Sequence, residues 1–264
     1  KNRAGINLII EALSGTLSVM GEKGEIPPRP GLQTADILGA MFATYSTLAG
    51  LIGQIQHNQG MHADVALIEA SIASAVWETT EYLSSGMVPE QLGHSHRASA
   101  PYQLFETNDK RYIAIGAPSD AHFKRLMNIL DLNNLLENPK FISYSSRKEN
   151  ENDLVPVVAD KIMDWDSSNL EIKLTEAGIP CGCVRNYEEA LNNPHSFDRQ
   201  LLAEISDGQG AKIKTIRNPV LINNKPININ NLAPELGQQS FEILNEVGVD
   251  KNAFCKLISA GITT

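Results

Sequence analysis

One carboxylate stands out for its setting. Asp36 follows the turn Pro28-Arg29-Pro30-Gly31-Leu32-Gln33 and opens a long apolar run. Proline and glycine break whatever precedes them, and Thr34 is placed to cap the helix that follows. Ile37, Leu38, Met41, Phe42, Tyr45, Leu48, Leu51, Ile52 and Ile55 then recur at helical spacing. Asp36 is therefore expected in a first helical turn, where unpaired backbone N–H groups and the helix dipole favour negative charge. A carboxylate so placed can attack an electrophilic carbonyl as a nucleophile. The plainer reading of the same residue is a charged helix start without chemistry.

Other reactive side chains have poorer settings. Asp64 lies in His62-Ala63-Asp64-Val65-Ala66-Leu67, which alternates like a short strand. It reads as a second carboxylate or, more simply, as a solvated polar position. His94 and His96 lie in a polar loop with no acidic or cysteine partner at ligand spacing, so no metal site is expected. Cys181, Cys183 and Cys255 form an odd set without zinc-type spacing and read as free thiols of a cytoplasmic protein. Asp207-Gly208-Gln209-Gly210 reads as a turn, not a nucleotide loop, because no phosphate-binding helix follows it.

The elements that must position Asp36 can be laid out from the pattern. Residues 5–20 read as a helix, with Leu8, Ile9, Ala12, Leu13, Leu17 and Met20 on one side. The helix opened by Asp36 runs to about Gln56 and is apolar around much of its girth, which suggests burial within a domain or dimer. Residues 68–84 are again helical. Ser84 to Ser99 carry glycine, proline and two histidines with few aliphatics, and read as a linker or mobile loop. Asn108-Asp109-Lys110 marks a hairpin between Leu104–Thr107 and Arg111–Ile115. A helix from about Asp120 to Leu130 follows, then two or three polar helices between Glu137 and Ala177. Ser143 to Asn150 reads as a solvated helix start. A helix over Val184 to Leu191 stops at Asn192-Asn193-Pro194, two strands occupy 200–232, and Leu236 to Val247 forms a final helix.

Several short motifs fall in one order across nearly the whole chain. Gly5-Ile6-Asn7 and Glu11-Ala12-Leu13-Ser14-Gly15 precede the Asp36 loop, and Asn58-Gln59-Gly60-Met61-His62-Ala63-Asp64-Val65-Ala66-Leu67-Ile68-Glu69-Ala70 follows its helix. Ala100-Pro101-Tyr102-Gln103-Leu104-Phe105-Glu106-Thr107-Asn108-Asp109, Gly178-Ile179-Pro180-Cys181-Gly182, Asn218-Pro219 and Ala233-Pro234-Glu235-Leu236-Gly237 complete the series. This order resembles the family III CoA-transferases, whose sister branch is α-methylacyl-CoA racemase.

The resemblance implies an α/β fold, with a partial Rossmann-like large domain and a smaller α+β domain in an interlocked homodimer. Residues 1–95 would be a large-domain segment carrying the catalytic aspartate, 96–199 the small domain, and 200–264 a segment returning to the large domain. It implies that Asp36 is the nucleophile and that Asn7 and Gly93 contact the coenzyme A thioester. The thioester is a substrate, and no permanently bound cofactor is implied. The family's Gly-rich lid is reduced here to Gly86 and Gly93, so a lid and a plain interdomain crossing both stay open. The resemblance begins in mid-domain, so an N-terminal part is expected to be missing. A catalytically silent dimeric partner is therefore an alternative. The racemase needs a histidine where Ile6 stands, and isoleucine cannot move a proton. At the next position Asn7 replaces a usually acidic residue.

Composition narrows the partners. With 264 residues and a formal charge of -9, the chain is an ordinary globular protein and a poor match for nucleic acid. No run of eighteen apolar residues and no basic-then-apolar leader are visible, so neither a membrane span nor a secretory signal is expected. The remaining partners are an acyl-CoA and a small carboxylic acid.

Overall fold

The computed structural model describes residues 4–206, 212–229 and 231–263, so the turn expected at Asp207-Gly208-Gln209-Gly210 lies outside the described residues. The chain divides into two compact units, Lys1–Val184 and Arg185–Thr264.

The first unit opens with helices. Helix α1 (Asn7–Leu13) is shorter than its periodicity suggests, because Gly15 turns left-handed at φ 85° and only a 3-10 turn, Thr16–Val19, follows. Helix α2 (Thr34–His57) runs its full expected length and ends at Asn58 in the left-handed region. Thr34 does not cap it: Gln33 holds the cap position, and Thr34 is the first helical residue. Helices α3 (Leu67–Ser74) and α4 (Val76–Ser85) replace the single helix expected over 68–84, the break falling at Ala75 with ψ 58°. Residues 62–66 are not a strand. Alternation produces a strand only where a neighbour supplies the ladder hydrogen bonds, and among the described residues none pairs here.

Helices α1, α2 and α3 pack on one another. Gly39 permits the approach of α2 to α3, since a Cβ there would lie 2.2 Å from Cδ2 of Leu67. Burial along α2 is confined to Ala35 and Gly39. Met41, Tyr45, Leu48, Ile52 and Ile55 are exposed, against the expectation of a buried helix. By length and composition alone α2 could cross a bilayer, and a soluble helix covered on its apolar face passes the same test.

The rest of the unit is a small sheet backed by helices. Strands β1 (Tyr102–Glu106), β2 (Tyr112–Gly116) and β3 (Cys181–Cys183) pair antiparallel in that order. Phe105, Ile113 and Ile115 face helices α5 (Asp120–Ile129), α7 (Glu151–Ile162) and α8 (Ser167–Glu176), which contribute Phe123, Leu126, Leu154, Val158, Leu170 and Leu174 to the core. Helix α6 (Tyr144–Glu149) starts with a Ser143–Ser146 capping box, as a helix start at this point requires. Its Arg147, however, is buried. The guanidinium sits 4.6 Å over the ring of Phe123, and its Nη2 donates to Oδ1 of Asp120 at 2.8 Å. A charge pattern that reads as solvated therefore includes a core cation, because a planar guanidinium can stack on an aromatic ring while its edge is paired.

The second unit carries α9 (Tyr187–Leu191), α10 (Pro194–Asp198), the hairpin β4 (Leu202–Ser206) with β5 (Lys212–Ile216), and the short pair β6 (Leu221–Ile222) with β7 (Lys225–Pro226). Helix α11 (Ser240–Glu246) is shorter than expected. A further helix, α12 (Lys251–Ser259), follows it under an Asp250 cap whose carboxylate accepts from the Ala253 amide.

Candidate functional site around Asp36

The start of α2 is held from one side by α1. Residues four apart on a helix share a face, and α1 turns Asn7 and Glu11 toward the first residues of α2. Oδ1 of Asn7 accepts a hydrogen bond from the Asp36 backbone N–H at 3.3 Å. The Thr34 hydroxyl donates to Oε1 of Glu11. The first bond of the helix itself runs from the Ile37 N–H to the Gln33 carbonyl at 3.0 Å. The amides of Thr34, Ala35 and Asp36 precede that bond, and Asn7 takes the last of them.

Burial differs sharply among these residues. Glu11 is 1% exposed and Ala35 is fully buried, whereas Asp36 is exposed. The frame beneath the carboxylate is thus packed while the carboxylate itself is open to a partner. Asn7 and Asp36, both singled out from sequence, are brought together. Glu11 and Thr34 complete the arrangement, and sequence reasoning assigned neither this role. The available signal was an acidic residue one turn beyond Asn7 on an otherwise apolar helix.

Gly93 is bonded to the loop that precedes the Asp36 turn. It is left-handed at φ 58°, and a Cβ would lie 2.4 Å from the Glu22 carboxylate oxygens. Its N–H donates to the Gly21 carbonyl at 2.9 Å. Gln91 reinforces the same junction, donating from Nε2 to the Met20 carbonyl at 2.7 Å. The 84–99 segment is therefore stitched to the loop that leads into the Asp36 turn. Asp64 is exposed in the extended stretch before α3. His96 lies in an aromatic stack, 4.4 Å from the ring of Tyr102 and 5.0 Å from that of Trp77. Burial, with Lys148 and Arg97 nearby, holds its imidazole below its usual value. Burial likewise pushes the thiols of Cys181 and Cys183 upward, away from nucleophilic character.

A groove of about 960 Å³ runs alongside this start. Its wall includes Ser14, Gly15, Met20, Thr34, Leu38, Ser71, Thr79 and Tyr82. Thr34 and Leu38 lie one turn apart and give α2's contribution to the groove. Asp36, about 200° round the helix from Thr34, does not line it.

The chain is similar to several known proteins. The chain is 25% identical over 244 residues to the succinate–glutarate CoA-transferase of Agrobacterium fabrum, covering 92% of this chain and 61% of that protein. It is 27% identical over 261 residues to the human succinyl-CoA:glutarate CoA-transferase, covering 98% and 59% respectively. A solved CAIB/BAIF family protein from Brucella suis superposes with a TM-score of 0.78 at 24% identity, over 93% of this chain and 63% of that one. The chain thus spans about three fifths of the length of the curated relatives it matches. The model of CoA-transferase family III matches residues 1–240, and the chain is a member of that family.

Proposed function

We propose that this chain carries the nucleophile of a CoA-transferase that exchanges coenzyme A between an acyl-CoA thioester and a small carboxylic acid. The observation that carries the reading is the Asp36 carboxylate, exposed at the start of α2 with its backbone fixed by Asn7. The relatives' names supply the acid class: dicarboxylates such as succinate and glutarate.

The chemistry is a double exchange. An Asp36 oxygen attacks the thioester carbonyl, and collapse of the adduct expels CoA thiolate, leaving a mixed anhydride. The thiolate attacks the Asp36 carbonyl, forming an aspartyl-CoA thioester and releasing the donor acid. The acceptor carboxylate attacks that thioester, expels the thiolate again and forms a second anhydride. Attack of the thiolate on the acceptor's acyl carbonyl yields the new acyl-CoA and frees Asp36. An anhydride keeps the acyl group activated, so two modest barriers replace one high barrier. The amides of Thr34 and Ala35 stand at the positive end of a 24-residue helix, whose dipole would favour the negative charge that develops during attack.

Ile6 caps α1 without a side chain able to transfer a proton, which favours transfer over racemisation. The exposed apolar stripe of α2 supports a homodimer in which a second copy covers it. The thioester substrates and unpaired cysteines support a reducing, cytoplasmic setting. Incubation with succinyl-CoA and glutarate tests the reaction. Glutaryl-CoA should appear with equimolar succinate, and Asp36→Asn should abolish both products. Formation of free CoA without glutaryl-CoA would contradict transfer.

A further inference from the structure

Glu11 is the one acidic side chain of the first helices that is fully buried, at 1% exposure. Burying a carboxylate is costly unless it is paired or amply hydrogen-bonded. Here the pairing is minimal. Oε1 accepts from the Thr34 hydroxyl, while Oε2 is buried with no hydrogen-bond partner. Among the described residues no ion pair reaches Glu11. A leucine of similar volume would pack on α1 without that cost, so packing does not account for the carboxylate.

Its one bond ends two residues before Asp36. Thr34 is the first residue of α2, and its hydroxyl donates to Glu11. The neighbouring anchor is the Asn7–Asp36 bond at 3.3 Å, from one turn earlier on the same face of α1. The two anchors differ in kind. Asn7 fixes the Asp36 backbone directly from a partly exposed position, whereas Glu11 fixes the preceding turn from within the core.

We propose that Glu11 is a positioning residue: through the Thr34 hydroxyl it fixes the first turn of α2, and with it the direction in which the Asp36 carboxylate is presented. This rests on the aspartyl reading given above. By accepting the Thr34 hydroxyl, the Glu11 side-chain oxygen restrains rotation of that turn; a glutamine keeps such an acceptor and a leucine does not. Precision matters at this point, since small misplacements of a reacting group are amplified in rate. The buried cost of Glu11 is then stability exchanged for orientation.

The test compares Glu11→Leu, Glu11→Gln and Thr34→Val with the unaltered chain by two readouts. The first is amide hydrogen exchange at residues 35–38, set against the middle of α2. Exchange at the helix start should accelerate in Glu11→Leu and Thr34→Val and stay slow in Glu11→Gln, with the middle of α2 unchanged in all. The second is turnover of succinyl-CoA with glutarate. Glu11→Leu should lower kcat by about tenfold or more with KM for succinyl-CoA little changed, and Glu11→Gln should recover most of it. The double variant Glu11→Leu with Thr34→Val should be no slower than either single one. Thermal melting should leave Glu11→Leu as stable as the unaltered chain or more so, which a purely structural Glu11 would not allow. Unchanged exchange at residues 35–38 overturns the proposal whether or not the chain turns over. Faster exchange with unchanged kcat overturns its link to Asp36. If the unaltered chain makes no glutaryl-CoA, the transferase reading fails, and the exchange measurement still decides whether Glu11 holds the helix start.

Discussion

At the scale of single residues, the chain fixes backbone turns by placing carboxylates where several donors converge. Asp109, in the β1–β2 turn, accepts from the Thr107 hydroxyl at 2.6 Å and from the Ser167 hydroxyl at 2.8 Å. These bonds, led by that of Thr107, hold its carboxyl down to about 2. The turn is thereby tied to the start of α8, which also receives Cys183 through its Ser167 carbonyl. Because the folded value lies below the ordinary value of 3.8, the folded state gains from ionisation above that value. The gain is lost as pH falls from 3.8 toward 2. Asp109→Asn should therefore flatten the loss of thermal stability in this window while lowering stability at neutral pH. A pH series of melting curves checks this, and parallel curves for the two proteins would contradict it.

At the scale of elements, the site depends on how closely α2 can approach its neighbours. Gly39 lies one turn beyond Asp36 and meets Leu67 at the start of α3, with no room for a methyl group. Gly39→Ala must separate the two helices or force Leu67 from its rotamer, a cost of about 1–3 kcal/mol by analogy with overpacked cores. Thermal unfolding should report that loss, and Leu67→Ala in the same chain should restore much of it. If Gly39→Ala melts with the unaltered chain, the close approach is not present in solution. Helix starts and stops follow the same local physics elsewhere. Ser119, Asp166 and Asn186 each accept a bond from an amide in the helix they precede, whereas Gly15 stops α1 by turning left-handed.

At the scale of the whole molecule, α2 carries a surface that the described residues leave open. Met41 is 63% and Ile55 is 83% exposed on a helix of 24 residues. In the proposed homodimer a second copy covers these side chains. Sedimentation should show a dimer for the intact protein, and Met41→Glu with Ile52→Glu should shift it toward monomer. A monomeric unaltered chain at micromolar concentration would contradict that reading. Much of this architecture was legible in sequence. The length of α2, the Asn108-Asp109-Lys110 hairpin and the helix after Asp120 all follow from periodicity and turn chemistry. What escaped depended on contacts distant in sequence. The alternation at 62–67 had no partner strand, Arg147 found a ring on α5, and the acidic Glu11 lay beneath a threonine more than twenty residues away. Of the candidate site, the motif order pointed to Asp36 and Asn7, while the buried Glu11 beside them needed the fold.

In the proposed mechanism Asp36 forms a covalent acyl intermediate. Hydroxylamine converts an aspartyl anhydride or thioester into a stable hydroxamate, and peptide mass analysis locates it. The intact chain treated with succinyl-CoA and hydroxylamine should carry a hydroxamate on Asp36, and Asp36→Ala should carry none anywhere. An unmodified Asp36 peptide from a chain that still makes glutaryl-CoA, or a hydroxamate on a different carboxylate, would contradict it.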